Sequence, residues 1–293
     1  MGHSLVNQLI HAAWSTNDQQ FFIPHAIKNE LYAYITTLIN TKNGRVFSCG
    51  GTTDHIHVLF MLPADISLSN LLGHVKACTS KWIKYRNSID PKFSWQKGYI
   101  AFSIQEGRIN KVCNYIKSDE ARHKSSSKSY NDELSELLKQ QDIPIDERYY
   151  LQNSHSKICV HAVWTTNNRS PDLYKDIRND LYGQIQAVIT NSSGQVHAVG
   201  GIEDHVHVLF EAPKNVALCD LIKDIKINTS HWLKNRDRSK FRDFEWQVGY
   251  GGFSVSLSNV NAIKRYINRQ EEHHRVRTYA EEWNEMLFIL KRC

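Results

Sequence analysis

The stretch GGTTDHIHVLF, Gly50 to Phe60, returns 150 positions later as GGIEDHVHVLF, Gly200 to Phe210. Each copy reads as a Gly-Gly turn followed by a strand in which two histidines flank one apolar residue: His55 and His57 in the first, His205 and His207 in the second. Side chains alternate across a strand, so both members of a pair project from one face, which is the placement that two ligands of one metal ion need. A lone His-x-His more often just lines a polar face. Its duplication at matched positions behind a Gly-Gly turn favours the ligand reading.

Outward from that stretch the match continues in order. IHAAWST at Ile10 to Thr16 pairs with VHAVWTT at Val160 to Thr166, and Lys76, Ser80 and Trp82 pair with Lys226, Ser230 and Trp232. After one inserted residue, SWQKGYIAFSI at Ser94 to Ile104 pairs with EWQVGYGGFSV at Glu245 to Val255, and VCNYIKSDEARH at Val112 to His123 with IKRYINRQEEHH at Ile263 to His274. Trp14, Trp82 and Trp95 find partners in Trp164, Trp232 and Trp246. The chain is therefore a tandem duplication. A repeat of about 120 to 140 residues can hold its own core, unlike a short solenoid unit. The expected domains are residues 1–123 and 154–293, joined by a linker, residues 124–153, with a Ser-rich start, a short helix and a later Asp-Ile-Pro turn.

Within the first repeat, Leu5 to Trp14 alternates as a strand, and a helix follows Pro24 with Ile27, Leu31, Ile35 and Leu38 on one face. Arg45 to Cys49 and His55 to Leu62 form a hairpin about the Gly-Gly turn. A second helix starts after Ser67, carries Leu68, Leu71, Val75 and Trp82 as its apolar stripe, and ends near Arg86 before a loop at Pro91. Tyr99 to Ile104 is a fourth strand, and a last helix runs from about Arg108 to His123. The expected fold class is α+β: two tandem ferredoxin-like domains, each an antiparallel sheet with helices on one face and an extra C-terminal helix.

Composition narrows the function classes. Lysines and arginines number 36 against 30 acidic residues, a mild basic excess compatible with a polyanionic partner. There is no apolar run of membrane-spanning length and the N-terminus lacks the layout of a signal peptide, so a cytoplasmic, membrane-free protein is expected. The six cysteines form no Cys-x-x-Cys pair, which argues against a zinc cage or a disulfide framework and for reduced, mostly buried residues.

On the last helix of the second repeat, Tyr266 and Gln270 stand four apart, one turn from each other; Tyr115 and Asp119 are the matched pair in the first. Alone, such a pair would be a packing tyrosine beside a solvated residue. Tyr99 and Tyr250 also match, but they sit beside glycine with no helical ligand partner and read as packing residues. With the two His-apolar-His motifs, the helices carrying Lys76 and Lys226, the segments WQKGY and WQVGY, and YINRQ with its weaker twin YIKSD, the chain resembles the single-tyrosine HUH transposases, the small insertion-sequence and REP-associated tyrosine types. The resemblance covers nearly all of both repeats.

What it implies is cleavage and rejoining of single-stranded DNA, hairpin or palindromic, through a 5′-phosphotyrosine. Tyr115 and Tyr266 would be nucleophiles, with a divalent Mg or Mn ion held by His55, His57, His205, His207 and the helical Asp119 or Gln270, and Lys76 and Lys226 on phosphates. Such enzymes often pair so that the tyrosine helix of one protomer meets the histidines of the other. The duplication is expected to be a covalent pseudo-dimer, with His55 and His57 served by Tyr266 and Gln270, and His205 and His207 by Tyr115 and Asp119; pairing within each repeat is the competing arrangement. Asp119 in place of the family's Gln keeps an oxygen ligand but adds charge. A domesticated single-strand-binding protein that has lost catalysis is the alternative. Histidine-triad hydrolases need a third His where Leu59 and Leu209 stand, and two-His phosphoesterases need His-x-Ser or His-x-Thr, so both fit poorly.

Overall fold

The computed structural model describes residues 4–19, 23–85, 92–126, 128–143 and 153–290, with side chains in the last stretch described through residue 285. The expected helix end at Arg86, the Pro91 loop, residues 127 and 144–152 of the expected linker, and Cys293 lie outside them. The chain divides into two compact units, Leu9–Ile158 and the combination of Met1–Gln8 with Cys159–Cys293. Both mix helices and strands in the expected order. Among the described residues no helix is long and apolar enough to cross a membrane.

The first unit holds β1 (Leu5–Ser15, from Leu9 onward), α1 (Lys28–Asn40), β2 (Arg45–Gly51), β3 (His55–Leu62), α2 (Leu68–Lys84), β4 (Ile100–Ser103), α3 (Ile109–Lys117), α4 (Asp119–Ser126), α5 (Tyr130–Lys139) and β5 (His155–Lys157). Its strands lie in the order β2-β3-β1-β4-β5; β2 and β3 are antiparallel, β1 and β4 are antiparallel, and β5 adds parallel to β4. β3 is buried on both faces. Its His55, His57 and Leu59 share one face, where Leu59 joins Leu9, Ile104 and Ile116 under α3. The Ser67 hydroxyl caps α2 by accepting the Asn70 N–H at 3.3 Å, and Leu68, Leu71, Leu72, Val75 and Ile83 are buried behind it.

The second unit repeats the plan with β6 (Cys159–Thr165), α6 (Lys175–Asn191), β7 (Gln195–Gly201), β8 (His205–Glu211), α7 (Leu218–Arg236), α8 (Arg238–Phe241), β9 (Gly251–Val255), α9 (Leu257–Asn268), α10 (Gln270–His273) and α11 (Tyr279–Leu290). Its strand order is β7-β8-β6-β9, and Leu5–Asn7 complete it parallel to β9. The same details recur at the same places. A bulge interrupts β2 between Val46 and Ser48 and β7 between Val196 and Ala198. Trp14 and Trp164 are fully buried, each contributing about 1.5–3 kcal/mol of the kind expected for a large apolar side chain. The indoles of Trp95 and Trp246 both donate at 2.9 Å to a helical hydroxyl, Thr79 or Thr229.

Three expectations change. The last helix is not continuous: α3 ends at Lys117 and α4 starts at Asp119, and α9 ends at Asn268 and α10 starts at Gln270. The residue at each break, Ser118 or Arg269, leaves helical backbone (ψ 2° and 20°), so tyrosine and ligand sit on consecutive helices instead of one turn of one helix. The short helix expected inside the linker is present as α5, yet it belongs to the first unit: Tyr130, Leu134 and Leu138 pack with Ala13, Ile100 and Phe102. Among the described residues the cysteines make no disulfide, but Cys159 alone of these five is buried; Cys49, Cys78, Cys113 and Cys219 are half-buried.

Candidate active site

The Gly-Gly pairs, expected in the turns, instead end β2 and β7, where Gly50 pairs with His57 and Gly200 with His207, and they admit the tyrosine helices. A Cβ on Gly50 would come within 2.9 Å of the Ile116 carbonyl oxygen, and one on Gly200 within 2.4 Å of the Ile267 carbonyl oxygen. Only a hydrogen at these positions lets α3 and α9 lie this close to β2 and β7. Their next-door residues, Tyr115 and Tyr266, are thereby set against the imidazoles: Tyr115 meets His57 edge-on at 5.8 Å between ring centres, and Tyr266 meets His207 at 5.7 Å.

In the first unit His55 and His57 are fully buried. His55 Nε2 lies 2.9 Å from Asp119 Oδ2, and its Nδ1 2.7 Å from Asp54 Oδ1. Burial alone would lower the His55 pKa, but the hydrogen bonds to Asp119 and Asp54 outweigh it and raise it to about 9. His57 Nδ1 faces His11 Nε2 at 3.1 Å; burial, with His57 beside it, drives His11 down to about 3 and keeps it neutral. In the second unit His205 Nε2 lies 3.4 Å from Gln270 Oε1, Asp204 holds His205 Nδ1 at 2.7 Å, and His161 Nε2 faces His207 Nδ1 at 2.9 Å. Burial holds His161 and His207 well below the usual histidine range, as neutral imidazoles with a lone pair to give.

Each tyrosine is thus beside the histidines of its own half. The exchange expected between halves, Tyr266 and Gln270 with His55 and His57, and Tyr115 and Asp119 with His205 and His207, is not what this structure shows, because the close approach at Gly50 and Gly200 fixes each tyrosine helix against its own hairpin.

The sequence reading missed a carboxylate in each half, and His274 beside the second. Tyr115 donates its hydroxyl to Glu133 Oε1 and Tyr266 to Glu282 Oε1. The other oxygen turns to the histidines: Glu133 Oε2 stands 3.4 Å from His57 Nε2 and 3.5 Å from His55 Nε2, and Glu282 Oε2 3.3 Å from His207 Nε2. Burial would raise Glu133, but hydrogen bonding and charge from His57, together with Tyr115 and His55, hold it below the usual carboxylate range. Burial pushes Glu282 up to about 7. The signal was there: KSYNDE at Lys128 to Glu133 matches RTYAEE at Arg277 to Glu282, once two residues are dropped from the second copy after His274.

Histidine nitrogens and carboxylate oxygens of His55, His57, Asp119 and Glu133 all lie within 4.8 Å of one another, as do those of His205, His207, His274 and Glu282. In the second unit the buried His207 Nε2 and Glu282 Oε2 face each other with no hydrogen-bond partner for either atom. Unsatisfied buried lone pairs that converge on one point are what a divalent ion would satisfy, and the N/O donor set suits Mg, Mn or Zn. A pocket of about 300 Å³ lined by Arg122, His123, Ser125, Ser126, Lys128 and Glu133 opens onto the first site.

Lys76 and Lys226, expected on phosphates, are turned inward. The Lys76 ammonium donates to the carbonyls of Gln96, Lys97 and Gly98 at 2.6, 3.0 and 2.7 Å, which uses all three of its N–H groups. Lys226 holds Gln247 and Gly249 at 2.8 and 2.6 Å. Burial lowers both to about 8. They clamp the WQKGY and WQVGY segments. Tyr99 and Tyr250 are buried, as the packing reading requires.

Known proteins are similar to this chain. The transposase for insertion sequence element IS200 of Salmonella typhimurium is 26% identical over 123 residues, covering 37% of this chain and 80% of that protein, and the Salmonella typhi protein matches with the same figures. Among solved structures, a candidate transposase of Deinococcus radiodurans is 21% identical, covers 43% of this chain and 98% of its own, and has a TM-score of 0.33. A REP-associated tyrosine transposase bound to a REP hairpin is 16% identical, covers 45% of this chain and 74% of its own, with a TM-score of 0.33. The family model described as "Transposase IS200 like" matches twice, at residues 4–119 and 154–270, and the chain belongs to that family.

Proposed function

We propose that the protein cuts and rejoins single-stranded DNA, hairpin or palindromic, through a 5′-phosphotyrosine, with a complete site in each of two ferredoxin-like halves. The observation that carries this reading is that a tyrosine hydroxyl, a pair of buried histidines and two oxygen-bearing side chains meet within each half. One chain would then supply the two sites that single-unit relatives obtain by pairing, as a covalent pseudo-dimer.

The roles follow from the contacts. Tyr115 or Tyr266 attacks phosphorus; the P–O3′ bond breaks, the 5′-phosphate stays on the tyrosine and the 3′-oxygen leaves as a hydroxyl. Glu133 or Glu282 already accepts the tyrosine hydroxyl and is placed to take its proton, while solvent supplies one to the 3′-oxygen. Attack by the freed 3′-OH on the phosphotyrosine reverses the sequence and reseals a strand. His55, His57, Asp119 and Glu133 in one half, and His205, His207, Gln270 and Glu282 in the other, would hold a divalent Mg or Mn ion, which when bound polarises the phosphate and neutralises developing charge. Arg122, His123 and Lys128 line the pocket where that phosphate would enter the first site.

The test is incubation of the full chain with labelled hairpin DNA and Mn²⁺ or Mg²⁺, followed by a denaturing gel and peptide mapping. A DNA-linked band that maps to Tyr115 and Tyr266 and disappears in the Tyr115→Phe, Tyr266→Phe double variant is expected. Tight binding with no adduct on any substrate would overturn the reading in favour of a domesticated strand-binding protein.

A further inference from the structure

A second group of ligand-type side chains lies farther along the same sheet face, in the second unit. Cys159 opens β6, and Glu211 closes β8 directly opposite it in the antiparallel ladder. His197 is the bulge residue of β7, on the other side of β8. A thiol sulfur, an imidazole nitrogen and a carboxylate oxygen from these three strands lie within 4.8 Å of one another, with His197 Nε2 and Glu211 Oε1 3.1 Å apart. Cys159 is 1% exposed, while the side chains of His197 and Glu211 keep 19% and 21% of their surface. The group is closed beneath and open on one side.

The first unit shows what this place looks like without ligands. The matched positions hold Leu9, Phe47 and Met61, packed in an apolar cluster with Leu59, Ile104 and Ile116. Three apolar side chains have thus been exchanged together for a cysteine, a histidine and a glutamate, although the backbone, bulge included, is the same.

We propose that Cys159, His197 and Glu211 form a zinc-class divalent metal site, distinct from the two nuclease centres. Thiolate, imidazole and carboxylate supply three ligands, and the open side leaves a fourth position for water. Four residue steps along β8 take His207 to Glu211, about 13 Å at strand rise, so one ion cannot serve both. Such an ion would tie β6, β8 and β7 together beneath α9, since Cys159 shares one apolar cluster with Val260 and Ile267, against which Tyr266 packs.

Sulfur makes the site separable from the others, whose donors are nitrogen and oxygen. The full chain, stripped with chelator and titrated with Co²⁺, is expected to develop a thiolate-to-cobalt charge-transfer band with a stoichiometry of one. The band should vanish in a His197→Phe, Glu211→Met variant, which keeps the thiol and installs the residues the first unit carries, so folding is not at risk. Zinc retained through gel filtration should fall by one equivalent in that variant. A cobalt complex without the thiolate band, or a band that survives His197→Phe, Glu211→Met, would reduce the group to an ion pair above a buried thiol. Neither readout depends on DNA cleavage, so failure of this site and failure of the nuclease reading are distinguishable.

Discussion

The two halves build the same centre with different charge. Where the second half has Gln270 and His273, the first has Asp119 and Arg122. Arg122 reaches Asp119 at 2.6 Å and Glu133 at 3.0 Å, and its guanidinium lies 3.8 Å over the Tyr115 ring; His273 approaches Glu282 no closer than 3.8 Å. The extra negative charge of Asp119 thus comes with an extra positive one. The departure from the glutamine expected of the family is a compensated exchange and leaves the first site with a full set of donors. The neighbouring carboxylates differ as well: His57, Tyr115 and His55 hold Glu133 below the usual carboxylate range, while burial pushes its counterpart Glu282 up to about 7.

The largest effect should come from combining lesions across the halves. If each tyrosine serves its own histidines, a Tyr266→Phe, His205→Ala chain keeps one working site, and a Tyr266→Phe, His55→Ala chain keeps none. Adduct formation on a denaturing gel reads both. The opposite pattern would show that the tyrosine helices exchange during reaction.

Next comes the missed carboxylate. Removing a general base typically lowers a rate by about 10² to 10⁴, so Glu133→Gln and Glu282→Gln should each slow adduct formation at their own half by that order, with the tyrosine still in place. Single-turnover cleavage, with the other half silenced by its Tyr→Phe change, measures each. Equal rates for Gln and Glu would assign these residues to packing.

The unequal charges also predict unequal pH dependence of metal binding. An ion at the first half must displace the proton that His55 keeps up to about 9; at the second, Glu282 holds its proton only up to about 7. Affinity for Mn²⁺ should therefore rise about tenfold between pH 7 and 8 in the first half and change little in the second. Titration calorimetry on His205→Ala and His55→Ala chains isolates each half. For the metal-free fold the signs are the same in kind. Folding raises His55 from 6.5 to about 9, a stabilisation complete below 6.5 and lost as pH climbs through 9. Folding raises Glu282 from 4.5 to about 7, a stabilisation complete below 4.5 and lost as pH climbs through 7.

Much of this was legible in the residues themselves. Strand periodicity placed β3 at His55–Leu62 without error, and the repeat fixed which residues had counterparts, because both signals are local. What escaped depends on distance in the chain or on backbone detail. Glu133 acts from a helix beyond the expected end of the first domain and Glu282 from one beyond the last matched segment, and a two-residue gap hid their kinship. Cys159, His197 and Glu211 come from three strands, so no spacing rule for metal ligands could join them. A lysine on a predicted helix cannot be assigned to phosphate or to carbonyl from its own neighbours, and Lys76 and Lys226 chose carbonyls. The breaks at Ser118 and Arg269 leave no mark in a helical pattern.

The smallest effect expected is at the glycines that end β2 and β7, and it tests whether backbone proximity is what sets each tyrosine. An alanine methyl at Gly200 would sit 2.4 Å from the Ile267 carbonyl, against 2.9 Å from Ile116 at Gly50. Neither contact can be relieved by a side-chain rotation alone, because the obstructing atom is backbone; the helix must shift. Gly200→Ala should then cost about 1–3 kcal/mol in denaturant melts, as overpacking does, and Gly50→Ala less. The shift also moves the residue before each isoleucine, so adduct formation at Tyr266 should fall more than at Tyr115. Loss of stability without that difference in rate would mean that Glu133 and Glu282, through their hydrogen bonds to the hydroxyls, position the tyrosines more firmly than the helices do.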